Sequence, residues 1–180
     1  MLIKADQSLL LIVDIQERLA PFIHHGQAVT DHACWLVQVA RRLEVPLLVT
    51  EQYPRGLGGT VAELAGHLRP GEVVEKIHFS AVADGCLQSQ PAFSRSQVVV
   101  AGSETHVCVL QTCLDLLGLG KQVFVVAEAV GSRRPEDKAL ALERLRQAGC
   151  VIVSREMVAF EWLHRAGTDL FRGVSQEFIR

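Results

Sequence analysis

The stretch VVVAGSETHVCVLQTCLDLL, residues 98 to 117, decides the fold. An apolar, β-branched run ends at Ala101-Gly102, crosses a short polar patch, and becomes a pattern with Val109, Leu110, Cys113, Leu114 and Leu117 at helical spacing. A buried strand therefore feeds a helix. Cys108 sits at the seam.

The same alternation extends in both directions. Residues 8–14 (SLLLIVD), 46–50 (PLLVT), 72–76 (EVVEK), 122–128 (QVFVVAE) and 150–154 (CVIVS) read as strands beside 97–102. Most of these runs are continuously apolar, the mark of strands covered on both faces, as in a parallel sheet between helical layers. Residues 27–45, 106–120 and 134–149 carry helical patterns, the last with Pro135 at its start, acidic residues in its first turn and Gly149 as a stop. Right-handed crossovers of this kind give a doubly wound, mostly parallel six-stranded α/β sheet with helices on both faces. No repeat, low-complexity tract or linker interrupts it, so residues 1–180 are expected to form a single domain.

Composition narrows the function. The chain has 18 Lys plus Arg against 20 Asp plus Glu, a balance that argues against nucleic acid or a membrane surface as partner. No run approaches the roughly 20 apolar residues that span a bilayer, and Asp14 breaks the amino-terminal apolar run before any cleavage site. Five scattered cysteines without C-x-x-C spacing fit reduced thiols, and hence a cytoplasmic location. The high apolar content, 49%, is compatible with self-association.

In an open parallel sheet, ligands bind beyond the carboxyl ends of the strands. Asp14 ends the first strand, Lys76 the third, and Cys108 opens the helix after the fourth. Taken singly, a strand-end Asp is often a cap, a Lys there is often solvated, and Cys is commonly buried. Together they unite a carboxylate, an ammonium and a thiol at one edge. A helix start and a nearby ammonium lower a thiol's pKa below its ordinary value of about 8.5, so Cys108 is expected to be an activated nucleophile. Asp14 is placed to take its proton and return it to a leaving amine. The first helical amides, lacking intrahelical partners, face an oxyanion.

These residues carry a resemblance. LLIVDIQ, VTEQYPRGLG, EKIHFSA and VVVAGSETHVCVLQTCLDLL resemble the isochorismatase-like cysteine hydrolases, from the first strand to about Phe160. The resemblance implies a catalytic triad of Asp14, Lys76 and Cys108, attack on a small amide-like bond, and a thioester that water hydrolyses. It also implies a cis peptide between Ser103 and Glu104, costing about 3 kcal/mol, that aims the backbone N–H groups of Glu104 and Cys108 at the oxyanion. Gly102 and Thr105 are the expected enforcers of that turn, Thr105 as a helix cap. Nicotinamidases of the family bind a metal through Asp-x-His after the second strand. TEQYPRGLGG stands there instead, so neither metal nor cofactor is expected. True isochorismatases lack the cysteine and cleave a vinyl ether, so the family name does not fix the activity. Family members assemble as dimers or larger rings, which makes a homo-oligomer the expectation.

Other features are set aside on spacing. Cys34 and Arg41 are one residue too far apart for a thiol-phosphatase loop and lie within a helical pattern. Cys113 points to another face than Cys108, and Cys86 is the one rival nucleophile. His106, two residues before Cys108, does not face it on a regular helix. His24, His25 and His78 have no partner at metal-ligand spacing, and GLGG at 56–59 is not a dinucleotide fingerprint. Phe22, Gln52, Tyr53 and Phe79 lie just past strand ends and are the candidate substrate contacts. A non-catalytic scaffold that retains a hydrolase fold is the alternative to a small-molecule hydrolase.

Overall fold

Continuous apolar runs demand cover on both faces, and the sheet supplies it. A computed structural model of the chain, describing residues 1–179, contains β1 (Ser8–Val13), β2 (Leu47–Gln52), β3 (Val73–Lys76), β4 (Gln97–Ser103), β5 (Gln122–Gly131) and β6 (Val151–Val153). They form one six-stranded sheet in the order β3-β2-β1-β4-β5-β6. All pairings are parallel. Every residue of β1 and β4 is buried.

Period-two alternation divides the central strands between two cores. Leu10, Ile12, Val49, Val99, Phe124 and Val126 pack against the helix Gly26–Arg42, through Val29, Ala33, Leu36 and Val37, and against Val158 and Trp162 of the helix Arg155–Leu163. Leu9, Leu11, Leu48, Val98, Val100 and Val123 face the other way, onto Val109, Cys113 and Leu116 of the Cys108 helix and Leu145 of the helix Pro135–Ala148. That last helix begins and ends as its sequence requires, with Pro135 in the first turn and Gly149 at φ 109° as its left-handed cap.

Three features lie beyond the pattern reading. The helices Arg155–Leu163 and Asp169–Val174 follow β6, the first capped by the Ser154 hydroxyl, which accepts from the Met157 N–H at 3.2 Å. Strand β5 runs on to Gly131, because its register against β4 jumps from Val100–Val125 to Gly102–Val130. The extra residues form a bulge that carries the β5 end to the Cys108 seam.

The order of strands locates the crevice. The chain moves outward from β1 to β2 to β3, then returns to the opposite side of β1 with β4. The switch point lies between β1 and β4, where crossovers to opposite faces leave an opening at the carboxyl edge. Asp14 leaves β1 there and Cys108 follows β4. Gly102 permits this approach: it has φ 147°, and a Cβ on it would stand 2.2 Å from the Val13 carbonyl oxygen. Among the described residues, no helix is long and apolar enough to cross a membrane.

Candidate active site

Backbone strain gathers at this edge. Asp14, Tyr53 and Glu104 are non-glycine residues with φ of 53°, 37° and 55°, and they terminate β1, β2 and β4. Such conformations cost about 1–2 kcal/mol per residue and persist only where surroundings enforce them. Three adjacent strand ends thus spend stability on aiming their chains.

The first strand end holds a buried ion pair. Lys76 Nζ donates to Asp14 Oδ2 at 2.7 Å, and both side chains are 0% exposed. Removing both charges from water costs several kcal/mol per ion, so the pair depends on further hydrogen bonds. The ammonium also donates to Gln52 Oε1 at 2.7 Å, Phe79 O at 3.0 Å and His78 O at 3.3 Å. Asp14 Oδ1 accepts from the Thr50 hydroxyl at 2.6 Å. Gln16, wholly buried, ties the frame together. Its Oε1 accepts from Gln52 N at 2.9 Å, and its Nε2 donates to Gln52 O and Gly58 O at 3.0 and 2.7 Å.

The loop after β3 is shaped by Asp84, whose Oδ2 accepts from the N–H groups of Ile77 and His78 at 2.8 and 2.9 Å. Those N–H groups, the His78 bond first, hold the Asp84 carboxyl down at about 2. The same loop presents the His78 and Phe79 carbonyls to Lys76.

Cys108 is buried, 4% exposed, in a wide first turn, Thr105–Val109, that precedes the regular helix Leu110–Gly118. The Glu104 carbonyl accepts from Val107 N at 2.9 Å and Val109 N at 3.4 Å, passing over the amide of Cys108. The thiol's acidity departs from expectation. Burial, and then the Asp14 carboxylate beside it, push the Cys108 pKa far above the usual thiol value; Lys76 pulls it down, but less. Burial and the neighbouring carboxylate thus oppose ionisation of the sulfur more than Lys76 favours it. Burial is the larger cause, and the lysine's charge is also engaged by Asp14 and three other oxygens.

The turn into the helix also differs from expectation. No cis peptide occurs among the described residues, so the Ser103–Glu104 bond is trans. The chain reverses instead through Gly102 and the left-handed Glu104, φ 55° and ψ 59°. Thr105 does not cap the helix, since its buried hydroxyl has no hydrogen-bond partner. Glu104 is anchored through its side chain. Its Oε1 meets Arg133 Nε at 2.8 Å, and Oε2 lies 3.3 Å from His106 Nδ1, within ion-pair distance but not aligned as a hydrogen bond. His106 also contacts the Ser132 hydroxyl at 3.0 Å. The β5 bulge delivers both Ser132 and Arg133, partners that no local sequence pattern announces.

The remaining candidates fall on the rim. Phe22, Tyr53 and Phe79 are 69%, 52% and 53% exposed. Gln52 gives its side-chain oxygen to Lys76 and its amide N–H to Ile77 O at 2.7 Å. Phe79 lines a cavity of about 460 Å³ with Ile77, His78, Gln111 and Asp115, lying outside the Asp14–Lys76–Cys108 cluster. Cys86 is half-buried, and burial raises its thiol to about 11. Among the described residues no group of three or more His, Cys, Asp or Glu is arranged to hold a metal.

A buried carboxylate–ammonium pair and a buried thiol therefore lie at the carboxyl edge of one switch point. The family described as "Isochorismatase domain" matches residues 8–157. Isochorismatase domain-containing protein 2A of Mus musculus is 39% identical over 175 residues, covering 95% of this chain and 82% of that protein. The MAR1 ribonuclease structure from Caenorhabditis elegans superposes with a TM-score of 0.89 at 33% identity, over 99% of this chain and 92% of that one. YcaC from Escherichia coli, titled an octameric hydrolase of unknown specificity, shares the fold at 22% identity and a TM-score of 0.89, over 99% and 91%. With a family match over most of its length and relatives this similar, the chain belongs to the isochorismatase domain family.

Proposed function

We propose that this protein is a cysteine-dependent hydrolase of a small amide-like substrate, with Cys108 as nucleophile, Asp14 as general base and acid, and Lys76 as the cation that holds Asp14. The observation that carries the reading is the wholly buried Asp14–Lys76 pair, at 2.7 Å, on the same carboxyl edge of the sheet where the buried Cys108 follows β4. As the Cys108 sulfur attacks the substrate carbonyl, its proton passes to Asp14, so a thiolate need never stand free in the apolar site. Backbone N–H groups of Glu104 and Cys108, at the wide first turn of the helix, receive the developing oxyanion. Collapse of the tetrahedral species breaks the C–N bond. Asp14 gives its proton to the leaving amine, and a thioester remains on Cys108. Asp14, again a carboxylate, then activates water to release the acid and restore the thiol.

No metal enters this scheme, because the segment after β2 reads TEQYPRGLGG where the nicotinamidases of the resemblance carry Asp-x-His. Incubating the protein with a panel of small amides, followed by mass spectrometry of Cys108-containing peptides, tests the reading. An acyl adduct on Cys108 supports it. Hydrolysis that survives Cys108→Ala overturns it.

The exposed side chains Phe22, Tyr53, Ile77 and Phe79 favour a second reading, in which this rim binds a macromolecular partner without catalysis. A Cys108 that forms no acyl adduct with any activated acyl donor would favour that reading. The same apolar rim supports a homo-oligomer in a single-domain, cytoplasmic protein. Light scattering of the purified chain tests the assembly, and a monomer at micromolar concentration argues against it. Ribonuclease chemistry, named for the MAR1 relative, finds less support in a chain with net charge −2, since phosphate backbones are bound by clustered cations.

A further inference from the structure

The residues that surround the Asp14–Lys76 pair do more than fill space. Resting on the reading above, we propose that Thr50 and Gln52, both on β2, are positioning residues that set the direction in which Asp14 takes the Cys108 proton. An ionised carboxylate offers about four lone-pair directions. Thr50 occupies one on Oδ1 at 2.6 Å and Lys76 one on Oδ2 at 2.7 Å, both from buried donors. Two donors on different oxygens fix the plane of the carboxylate and, on the reading above, leave its remaining lone pairs for the thiol proton.

Gln52 does the same for the lysine. The Lys76 ammonium has three N–H bonds, and it is surrounded by Asp14 Oδ2, Gln52 Oε1 and the carbonyls of Phe79 and His78. The amide of Gln52 cannot turn away without losing a second bond, since its N–H group donates to Ile77 O at 2.7 Å. Its own backbone is pinned from both sides by Gln16. Alternate residues of one strand share a face, which is why Thr50 and Gln52 reach the same pair while Glu51 points elsewhere, to Thr60. Gln52 thus gives its side-chain oxygen to the protein's own lysine and its N–H group to the loop that follows that lysine.

The test uses p-nitrophenyl acetate as acyl donor and the intact protein. In the acylation step a bond forms between the Cys108 sulfur and the acetyl carbon, the ester C–O bond breaks, p-nitrophenolate leaves, and the thiol proton goes to Asp14. The burst of p-nitrophenolate reads this step. Thr50→Val, nearly isosteric but without the hydroxyl, is expected to slow the burst about tenfold, and Thr50→Ser, which restores a donor, to recover most of that loss. Gln52→Met, at a partly exposed position, is expected to slow it about threefold. A Thr50→Val burst at the wild-type rate, or a Thr50→Ser burst as slow as Thr50→Val, overturns the assignment of Thr50, and an unaltered burst in Gln52→Met overturns that of Gln52. A burst that persists in Cys108→Ala instead overturns the nucleophile, and with it the proposed function.

Discussion

The two banks of the crevice are built by opposite means. On the β1–β2–β3 bank the work is done by side chains: Thr50, Asp14, Lys76 and Gln52 form a chain of hydrogen bonds, with the ion pair at 0% exposure. On the β4 bank it is done by backbone: Gly102 at φ 147°, Glu104 in the left-handed region and a widened turn that skips the Cys108 amide. In the proposed mechanism the first bank handles a proton, and the second presents a nucleophile and receives an oxyanion. A site of this kind fails in different ways depending on which bank is damaged: chemistry and charge on one, folding geometry on the other.

The largest effect is expected at the point where the banks meet. Cys108→Ala is expected to abolish hydrolysis and acyl transfer while the far-ultraviolet circular dichroism stays native, because a small buried residue is replaced by another. Retained acyl transfer would remove the second bank from the chemistry.

Asp14→Asn separates proton handling from thiol acidity. Turnover is expected to fall by about 10²–10⁴-fold, the usual contribution of a general base. Alkylation of Cys108 by iodoacetamide should move the other way, to lower pH, since the carboxylate that helps hold the thiol protonated is gone. The sign is the informative part: a profile displaced to higher pH would mean that Asp14 does not oppose ionisation of the sulfur.

Stability distinguishes the banks next. Lys76→Met leaves the Asp14 charge buried and unpaired, and is expected to cost about 3–5 kcal/mol in chemical denaturation. Adding Asp14→Asn should return much of it. Gly102→Ala acts without any charge, by driving a Cβ to 2.2 Å from the Val13 oxygen, and is expected to cost about 2–4 kcal/mol whatever stands at position 14. Strong coupling of Gly102→Ala to Asp14→Asn in a double-mutant cycle would erase the distinction between the banks.

The smallest effect concerns the loop after β3. The Asp84 carboxyl is held at about 2, so its tie to Ile77 and His78 is complete above the ordinary carboxylate range and is lost as pH falls through that range toward 2. Asp84→Ala is expected to remove this acid-sensitive component and to lower activity at neutral pH by no more than a few-fold. A larger loss would mean that the loop carbonyls, and not Gln52, dominate the hold on Lys76.

What the chain of residues discloses follows the same division. All six strands and the long helices are legible, because continuous apolar runs and 3.6-residue spacing are local properties. Asp14, Lys76 and Cys108 are legible as strand-end residues, and the topology brings them to one edge. Thr50 and Gln16 are not singled out, since a threonine in a strand reads as a β-former and only the pairing of β1 with β2 puts its hydroxyl on Asp14. The partnership of Glu104 with Arg133 depends on a bulge in β5 that no spacing reveals. The direction of the Cys108 shift is hidden from the sequence for the same reason. Helix start and nearby lysine are written in the sequence, but the burial that outweighs them is a property of the assembled core. The turn at Ser103–Glu104, expected as cis, is trans with a left-handed glutamate, a solution that residue types alone do not select.

The most direct measurement is peptide mass spectrometry after brief exposure of the wild-type chain to a panel of small amides and quenching in acid. One acylated residue, Cys108, is expected, with the adduct decaying as acid product appears. Product formed without any adduct at that sulfur, or with the adduct on Cys86, would contradict it.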